Sequence, residues 1–259
     1  MPHLSKGKRG FEPKVSLVKV VGLIFKRLKT GCQWRELSVK DFFPQEEITW
    51  QGVYYHFNKW SKDGSWKRAW ISILSEYRQE LDLSSIQLDG SHTPAKRGGE
   101  MVGYQGRKSC KTTNSLFLCD NHGQMLAVSS PQSGEHHDVF NIEILFAELT
   151  AVLTDAGIDT NGLFMNADAG FDTEDFREIC AAGAIEANIA QNERNKKKVT
   201  EKYVYFDDLL YKRRIKIEHA NAWMDAFKAL LVRFETTARN WMALQWMALI
   251  ARFTNKLKV

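Results

Sequence analysis

No two of the four cysteines, Cys32, Cys110, Cys119 and Cys180, form a Cys-x-x-Cys pair. That absence argues against a cysteine-ligated zinc site and leaves reduced thiols in a cytoplasmic protein as the expectation. An apolar run long enough to cross a bilayer is also missing. The longest near the start, "VSLVKVVGLIF", is broken by Lys19 and bounded by Lys26. No basic-then-apolar-then-small signal pattern precedes it. There is no internal repeat and no long low-complexity segment. What is present is 259 residues, 44% apolar and 26% charged, with eight tryptophans. These figures fit a soluble globular protein of one large domain or two modest ones, with a substantial core.

The net charge of +5 is mild, but its distribution is uneven. Residues 1–84 carry a net +6, residues 138–193 a net −11 and residues 194–218 a net +5. Such asymmetry points to a polyanion partner touching the basic regions, although lopsided charge also occurs in proteins without one.

Periodicity divides the chain. "KVSLVKVVGLIFKRLKTG" has helical spacing and stops at Gly31, a helix-ending residue. A second helix is expected from about Gln45 to Trp60, stopping at the Asp63-Gly64 turn, and a third over "SWKRAWISILSEYRQEL". Near Ser84 the character changes. "SSIQLDGS" predicts a strand ending at Asp89, and "NSLFLCDNHGQMLAVSS" a hairpin around Asn-His-Gly. "HDVFNIEILFAELTAVL" predicts an amphipathic helix. "GLFMNADAGFD" follows as a buried strand ending at Asp168, then the helix "TEDFREICAAG" and the strand "AIEANIA". After the Lys-rich "NERNKKK", two long helices are expected, about Asp208–Phe234 and Thr237–Lys256. The fold class that fits is α/β, a mixed sheet flanked by helices over residues 84–259, preceded by a small all-α region over 1–83.

Within this frame three acids stand out. Asp89 and Asp168 end strands, where open α/β sheets bind their ligands, and small neighbours surround both. A strand-capping or turn role is the plainer alternative for either one. Tyr211, Arg214 and Glu218 are spaced by three and four, so they share a helical stripe beside the apolar Leu210, Ile217, Met224, Phe227, Leu231 and Phe234. Glu218 is thus expected at the edge of the buried face, needing a cation or an arginine, and Arg214 one turn back offers an ion pair. Three carboxylates make a hard-oxygen site suited to Mg²⁺ or Mn²⁺. Two such ions could drive an in-line phosphoryl displacement.

Together these contexts resemble the DDE transposases of bacterial insertion sequences, of the insertion-sequence-five type. The resemblance rests on "GCQWREL…WSKDGSW", on "LDGSH" with "GYQGRKSCKTTNSLFLCDNHGQML", on "ADAGFD", and on "YKRRIKIE…AW…F…RFETTARN". The last carries the family's Tyr-(two)-Arg-(three)-Glu spacing at Tyr211, Arg214 and Glu218. The resemblance implies a ribonuclease-H-like catalytic domain. It implies Asp89, Asp168 and Glu218 as catalytic, metal-binding acids with two Mg²⁺ or Mn²⁺ ions. It further implies binding to terminal inverted repeats and target DNA by a homodimer or higher assembly. Tyr211, Arg213, Arg214, Lys108, Lys111 and Lys228 would be auxiliary or DNA-binding residues, and the location would be cytoplasmic, near the bacterial nucleoid.

Some positions depart from the family pattern. Asp225 stands where a basic residue is usual, His219 where arginine often follows the glutamate, and Asn114 where Thr-Thr-Lys is frequent. The chain also begins close to its first long helix, which leaves room for a missing N-terminal piece. The N-terminal helices fit a helix-turn-helix reader or a packing and dimerising region. His136, His137 and Asp138 suggest a turn and helix cap more than a ligand cluster. Trp34, Trp50, Trp60, Trp241, Trp246 and Phe253 are expected core residues. Two rival functions stay open: a catalytically silent transposase-derived DNA-binding protein, and a metal-dependent nuclease without strand transfer.

Overall fold

The structure, a computed structural model, describes residues 3–5, 15–45, 48–192 and 205–256. The Lys-rich "NERNKKK" lies almost wholly outside the described residues. Contacts group the chain into two compact units. One joins Met1–Ile73, Thr93–Glu100 and Trp223–Val259; the other joins Leu74–His92 and Met101–Ala222.

The first unit is helical. Helix α1 (Leu17–Thr30) buries Val20, Leu23, Ile24, Arg27 and Leu28, the stripe its spacing dictates. Helix α2 (Trp50–Lys62) buries Val53, Phe57 and Trp60, and begins later than Gln45. Helix α3 (Ser65–Glu76) follows the Asp63-Gly64 turn; its Trp70 meets Phe253 edge-on at 5.7 Å. Phe253 belongs to the last helix, Ala238–Lys256, which also buries Trp241, Leu244, Trp246 and Met247. Trp60 is core as expected. Trp34 is only partly buried, packing on Tyr54 and Phe57, and Trp50 is partly exposed.

The helix expected over Asp208–Phe234 is not continuous. It divides into α6 (Asp208–Tyr211), a 3-10 turn (Lys212–Arg214), α7 (Ile215–Met224) and α8 (Lys228–Leu231). At its far end the reason is visible: Val232 is extended and Arg233 forms a parallel bridge with Ala95. The Arg233 N–H donates to the Pro94 carbonyl and the Lys96 N–H to the Arg233 carbonyl. Strand-like pairing thus overrides helical propensity there, and Leu231 and Phe234 are left exposed rather than on a buried stripe.

The second unit is α/β. Its strands are β1 (Ile86–Pro94), β2 (Gly103–Gln105), β3 (Cys110–Cys119), β4 (Met125–Val128), β5 (Gln132–Ser133), β6 (Phe164–Ala167) and β7 (Glu186–Ile189). They form one sheet of order β2-β3-β1-β6-β7, with β4 and β5 also paired to β3. β2, β4 and β5 run antiparallel to β3, whereas β6 is parallel to both β1 and β7. Helix α4 (Ile142–Asp155) leads into β6 and α5 (Glu174–Ala182) into β7, as parallel neighbours require. An antiparallel meander followed by two helix-linked parallel strands is the ribonuclease-H-like arrangement.

Local chemistry explains the elements. The β3–β4 hairpin turns where expected. Its closing group is Asp120, whose carboxylate accepts the His122 and Gln124 N–H groups at 2.9 and 2.6 Å. Thr173 caps α5 by accepting from the Phe176 N–H, with Glu174 and Asp175 in the first turn. β1 runs on past Asp89 to Pro94, so that acid lies within a strand and not at its end.

Gly31 ends α1 at φ +68°, its N–H donating to the Arg27 carbonyl at 2.8 Å. A Cβ there would lie 3.0 Å from the Lys228 backbone. Gly31→Ala is therefore expected to lower stability by about 1–2 kcal/mol, read as a fall in the urea midpoint.

Candidate active site

The parallel register places two of the three acids. Gln87 pairs with Asn166, and Asp89 and Asp168 each lie two residues further on. Side chains alternate along a strand, so both acids project on the face of their paired neighbours. The charge of Asp168 is among those that act on Asp89. Asp168 follows β6 directly, and its carboxylate accepts the Gly170 N–H at 2.8 Å.

Glu218 enters from α7. Ile217, Ala220 and Met224 are buried, but the Glu218 side chain is 48% exposed. It is thus further into solvent than the edge of a buried face. Its Oε1 accepts from Arg214 Nη1 at 3.1 Å. The ion pair anticipated as the plain structural alternative is therefore formed.

The electrostatics show that the acids feel one another. Burial, then the charges of Glu218 and Asp168, push the Asp89 carboxyl up to about 7, against the opposing pull of Arg214 and the Gly90 N–H. Burial alone would lower the Arg214 pKa, but Tyr211, Asp89 and Glu218 outweigh it and hold the guanidinium above its ordinary range. Asp89, Asp168, Glu218 and Arg214 thus share one electrostatic neighbourhood. Among the described residues, no three His, Cys, Asp or Glu side chains stand close enough together to form a ready-made metal cage. The donor set nevertheless suits a divalent cation. It is all carboxylate oxygen, and burial first, then two other acids, push the Asp89 carboxyl up.

Of the remaining sequence candidates, Tyr211, Arg213, Lys108 and Lys111 belong to the same unit as this centre. Tyr211 closes α6 with its ring 5.0 Å from that of Phe206, and Arg213 Nη1 donates to Ser84 Oγ at 3.1 Å. Lys108 Nζ donates to the His92 carbonyl of β1 at 2.8 Å. Lys111 is exposed on β3. Lys228 is exposed at the start of α8 and belongs to the helical unit, not to the one that holds the acids.

The contact between two further residues escapes a sequence reading. Asp138 sits against Gly90, the residue after Asp89: a Cβ on Gly90 would meet Asp138 Oδ1 at 2.1 Å. Asp138 is held there by Asn114 Nδ2 at 2.7 Å. Asn114, one of the positions that depart from the family pattern, is completely buried. Asp138 lies in a turn, as expected, but does not cap α4; Asn141 occupies that position. His136 stacks on Phe140 at 3.6 Å instead of joining a ligand cluster. No local spacing signals the Asn114–Asp138 contact, because it joins positions 24 residues apart.

An α/β sheet carrying acids on adjacent parallel strands, with a third acid and several basic residues on a neighbouring helical segment, is the frame of a metal-dependent phosphoryl-transfer enzyme. Residues 78–253 match the family model described as a transposase DDE domain, and this chain belongs to that family. Residues 1–70 match a second model, described for transposases of the IS4/5 family, in agreement with that membership. No curated protein matches it. Solved structures similar to it include a pre-cleavage Mos1 transpososome and a Mos1 mariner paired end complex with Mn. Each is 12% identical with a TM-score of 0.32, over 96% of this chain and 82% of the other.

Two outcomes follow from this geometry. An acid whose carboxyl is pushed up by its surroundings loses stability as pH rises from its ordinary range through the raised value. The metal-free protein should therefore lose melting temperature as pH rises from about 4 to about 7. Asp89→Asn should flatten that slope, as checked by thermal melts across the range. Gly90→Ala should displace Asp138 and lower stability by about 1–3 kcal/mol, read by denaturant unfolding.

Proposed function

We propose that this transposase binds the terminal inverted repeats of an insertion sequence and catalyses strand cleavage at their boundaries, followed by joining of the freed 3′-hydroxyl to target DNA. The observation that carries the reading is the electrostatic convergence of Glu218 and Asp168 on the half-buried Asp89 of β1. Residues with that burden of like charge suit a pair of Mg²⁺ or Mn²⁺ ions.

In this reading Asp89, Asp168 and Glu218 are the metal-holding acids. Bound divalent ions supply Lewis acidity and lower the pKa of an attacking water or 3′-hydroxyl. Asp89 and Asp168 present oxygens from rigid neighbouring strands. Glu218 is exposed enough to exchange Arg214 for another cation. Arg214, so released, is one helical turn from the acid and can pair with a backbone phosphate, which arginine binds with two parallel hydrogen bonds. Arg213 and Lys212 widen the same basic stretch. Lys108, Lys111 and Lys228 contribute further phosphate contacts, and Tyr211 assists without acting as a nucleophile. The helical first unit reads the element ends. Two ends must be brought together for joining, so the working form is a dimer or higher assembly on DNA. A cytoplasmic, nucleoid-associated location goes with this activity.

The test is cleavage and joining of a labelled element-end duplex with Mg²⁺ or Mn²⁺. Wild type should cut and join, while Glu218→Gln should bind the duplex normally and lose rate by on the order of 10²–10³. Cutting without joining by wild type would leave a nuclease. Binding without cutting under any divalent ion would leave a silent DNA-binding protein.

A further inference from the structure

Three polar side chains lie in the middle of the sheet where apolar ones would be expected. Gln87, Asn166 and Asn188 are 0–1% exposed and stand in register across β1, β6 and β7. They are joined amide to amide. Asn166 Nδ2 donates to Gln87 Oε1 at 2.8 Å, and Asn188 Nδ2 donates to Asn166 Oδ1 at 2.8 Å. At one end Gln87 Nε2 donates to Ser85 Oγ at 3.0 Å. At the other the ladder leaves the sheet for the backbone that enters α6. Asn188 Oδ1 accepts the Asp207 N–H at 2.8 Å, and Asn188 Nδ2 reaches the Asp207 carbonyl at 3.0 Å. Asn166 Nδ2 also donates to the Leu210 carbonyl at 3.0 Å.

Burying three amides is costly unless their partners are all supplied, and here each has a partner at both ends. Apolar side chains would pack α6 against the sheet with less sensitivity to sliding. Hydrogen bonds to backbone groups are directional and fix one position. What they fix matters for the acids. Asp89 and Asp168 lie two residues beyond Gln87 and Asn166 on the same face, so the amide layer directly underlies the carboxylate layer. The backbone they grip at Asp207 and Leu210 leads, within one short run, to Arg214 and Glu218. Asp207 adds a side-chain cap to the N–H groups of Leu209 and Leu210, both at 2.9 Å.

We infer that Gln87, Asn166 and Asn188 are positioning residues: a buried amide ladder that sets the Glu218-bearing segment at a fixed place over the strands that carry Asp89 and Asp168. The inference rests on the metal-holding role proposed for those acids. The amides touch neither metal nor DNA; they act through the backbone of residues 207–210.

The experiment compares full-length wild type with Asn188→Leu, an apolar side chain of similar size. Mn²⁺ binding is followed by electron paramagnetic resonance, and duplex cleavage is titrated with Mn²⁺. Mn²⁺ affinity should weaken by about tenfold or more, as when groups that orient metal ligands are removed. The Mn²⁺ concentration for half-maximal cleavage should rise in parallel, with the rate at saturating Mn²⁺ and the metal-free duplex affinity nearly unchanged. A merely structural role would lower the active fraction without moving the metal titration, and that result would overturn the ladder. Should Asn188→Leu fail to melt cooperatively, Gln87→Met, which removes the outermost amide with its acceptor for Asn166 and its donor to Ser85, decides by the same midpoint: a rise supports the ladder and an unchanged value overturns it. Wild type that binds Mn²⁺ but cuts no duplex would sink the proposed function while the binding comparison still judges the ladder. Wild type that binds no Mn²⁺ overturns both.

Discussion

A carboxyl group buried beside two other carboxylates cannot ionise freely unless a cation shares its space. That constraint governs the second unit of this protein. Asp89 is pressed by burial, Glu218 and Asp168, and among the described residues the charge that opposes them is Arg214. Arg214 is also bound to Glu218, so one guanidinium serves two acids. The arrangement carries more negative charge than its own basic partner neutralises. In the proposed reading such a site is completed by added positive charge, which is the electrostatic basis for its divalent-metal chemistry.

The scaffold around those acids is stiff where stiffness is useful. Asp89 and Asp168 come from adjacent parallel strands whose register is fixed by the sheet. Gly90 leaves room for Asp138, which Asn114 holds in place. Asn114, at a position where the family pattern frequently has a lysine, donates its amide to that carboxylate. Glu218, by contrast, is on a short helix after a 3-10 turn and is half exposed. Two acids belong to the framework and the third to a segment that the sheet must grip.

The helical unit illustrates how buried charge can order a core. Arg27 is buried and paired with Glu235 at 2.9 Å, its guanidinium 5.1 Å from the Trp34 ring centre. Arg233 is 1% exposed, and donates to the carbonyls of Glu100 and Glu235. Such contacts tie segments distant in sequence into one unit, and they demand partners that no local pattern announces.

Sequence by itself determined the order of helices and strands, because periodicity of 3.6 or 2 is a local property. It marked Gly31 as a helix end, the Asn-His-Gly hairpin, the strand before Asp168 and the Tyr211–Arg214–Glu218 spacing. Those signals sufficed for the family. Tertiary structure decided the rest. It broke the expected Asp208–Phe234 helix, since the bridge from Arg233 to Ala95 pulls the chain into extended form. It left Glu218 half in solvent, because exposure depends on what packs opposite, which spacing does not state. It also paired Asn114 with Asp138 and aligned Gln87, Asn166 and Asn188 into one ladder. Each of those contacts closes only when segments far apart in the chain meet, and hydrogen-bond partners at that separation leave no trace in local composition.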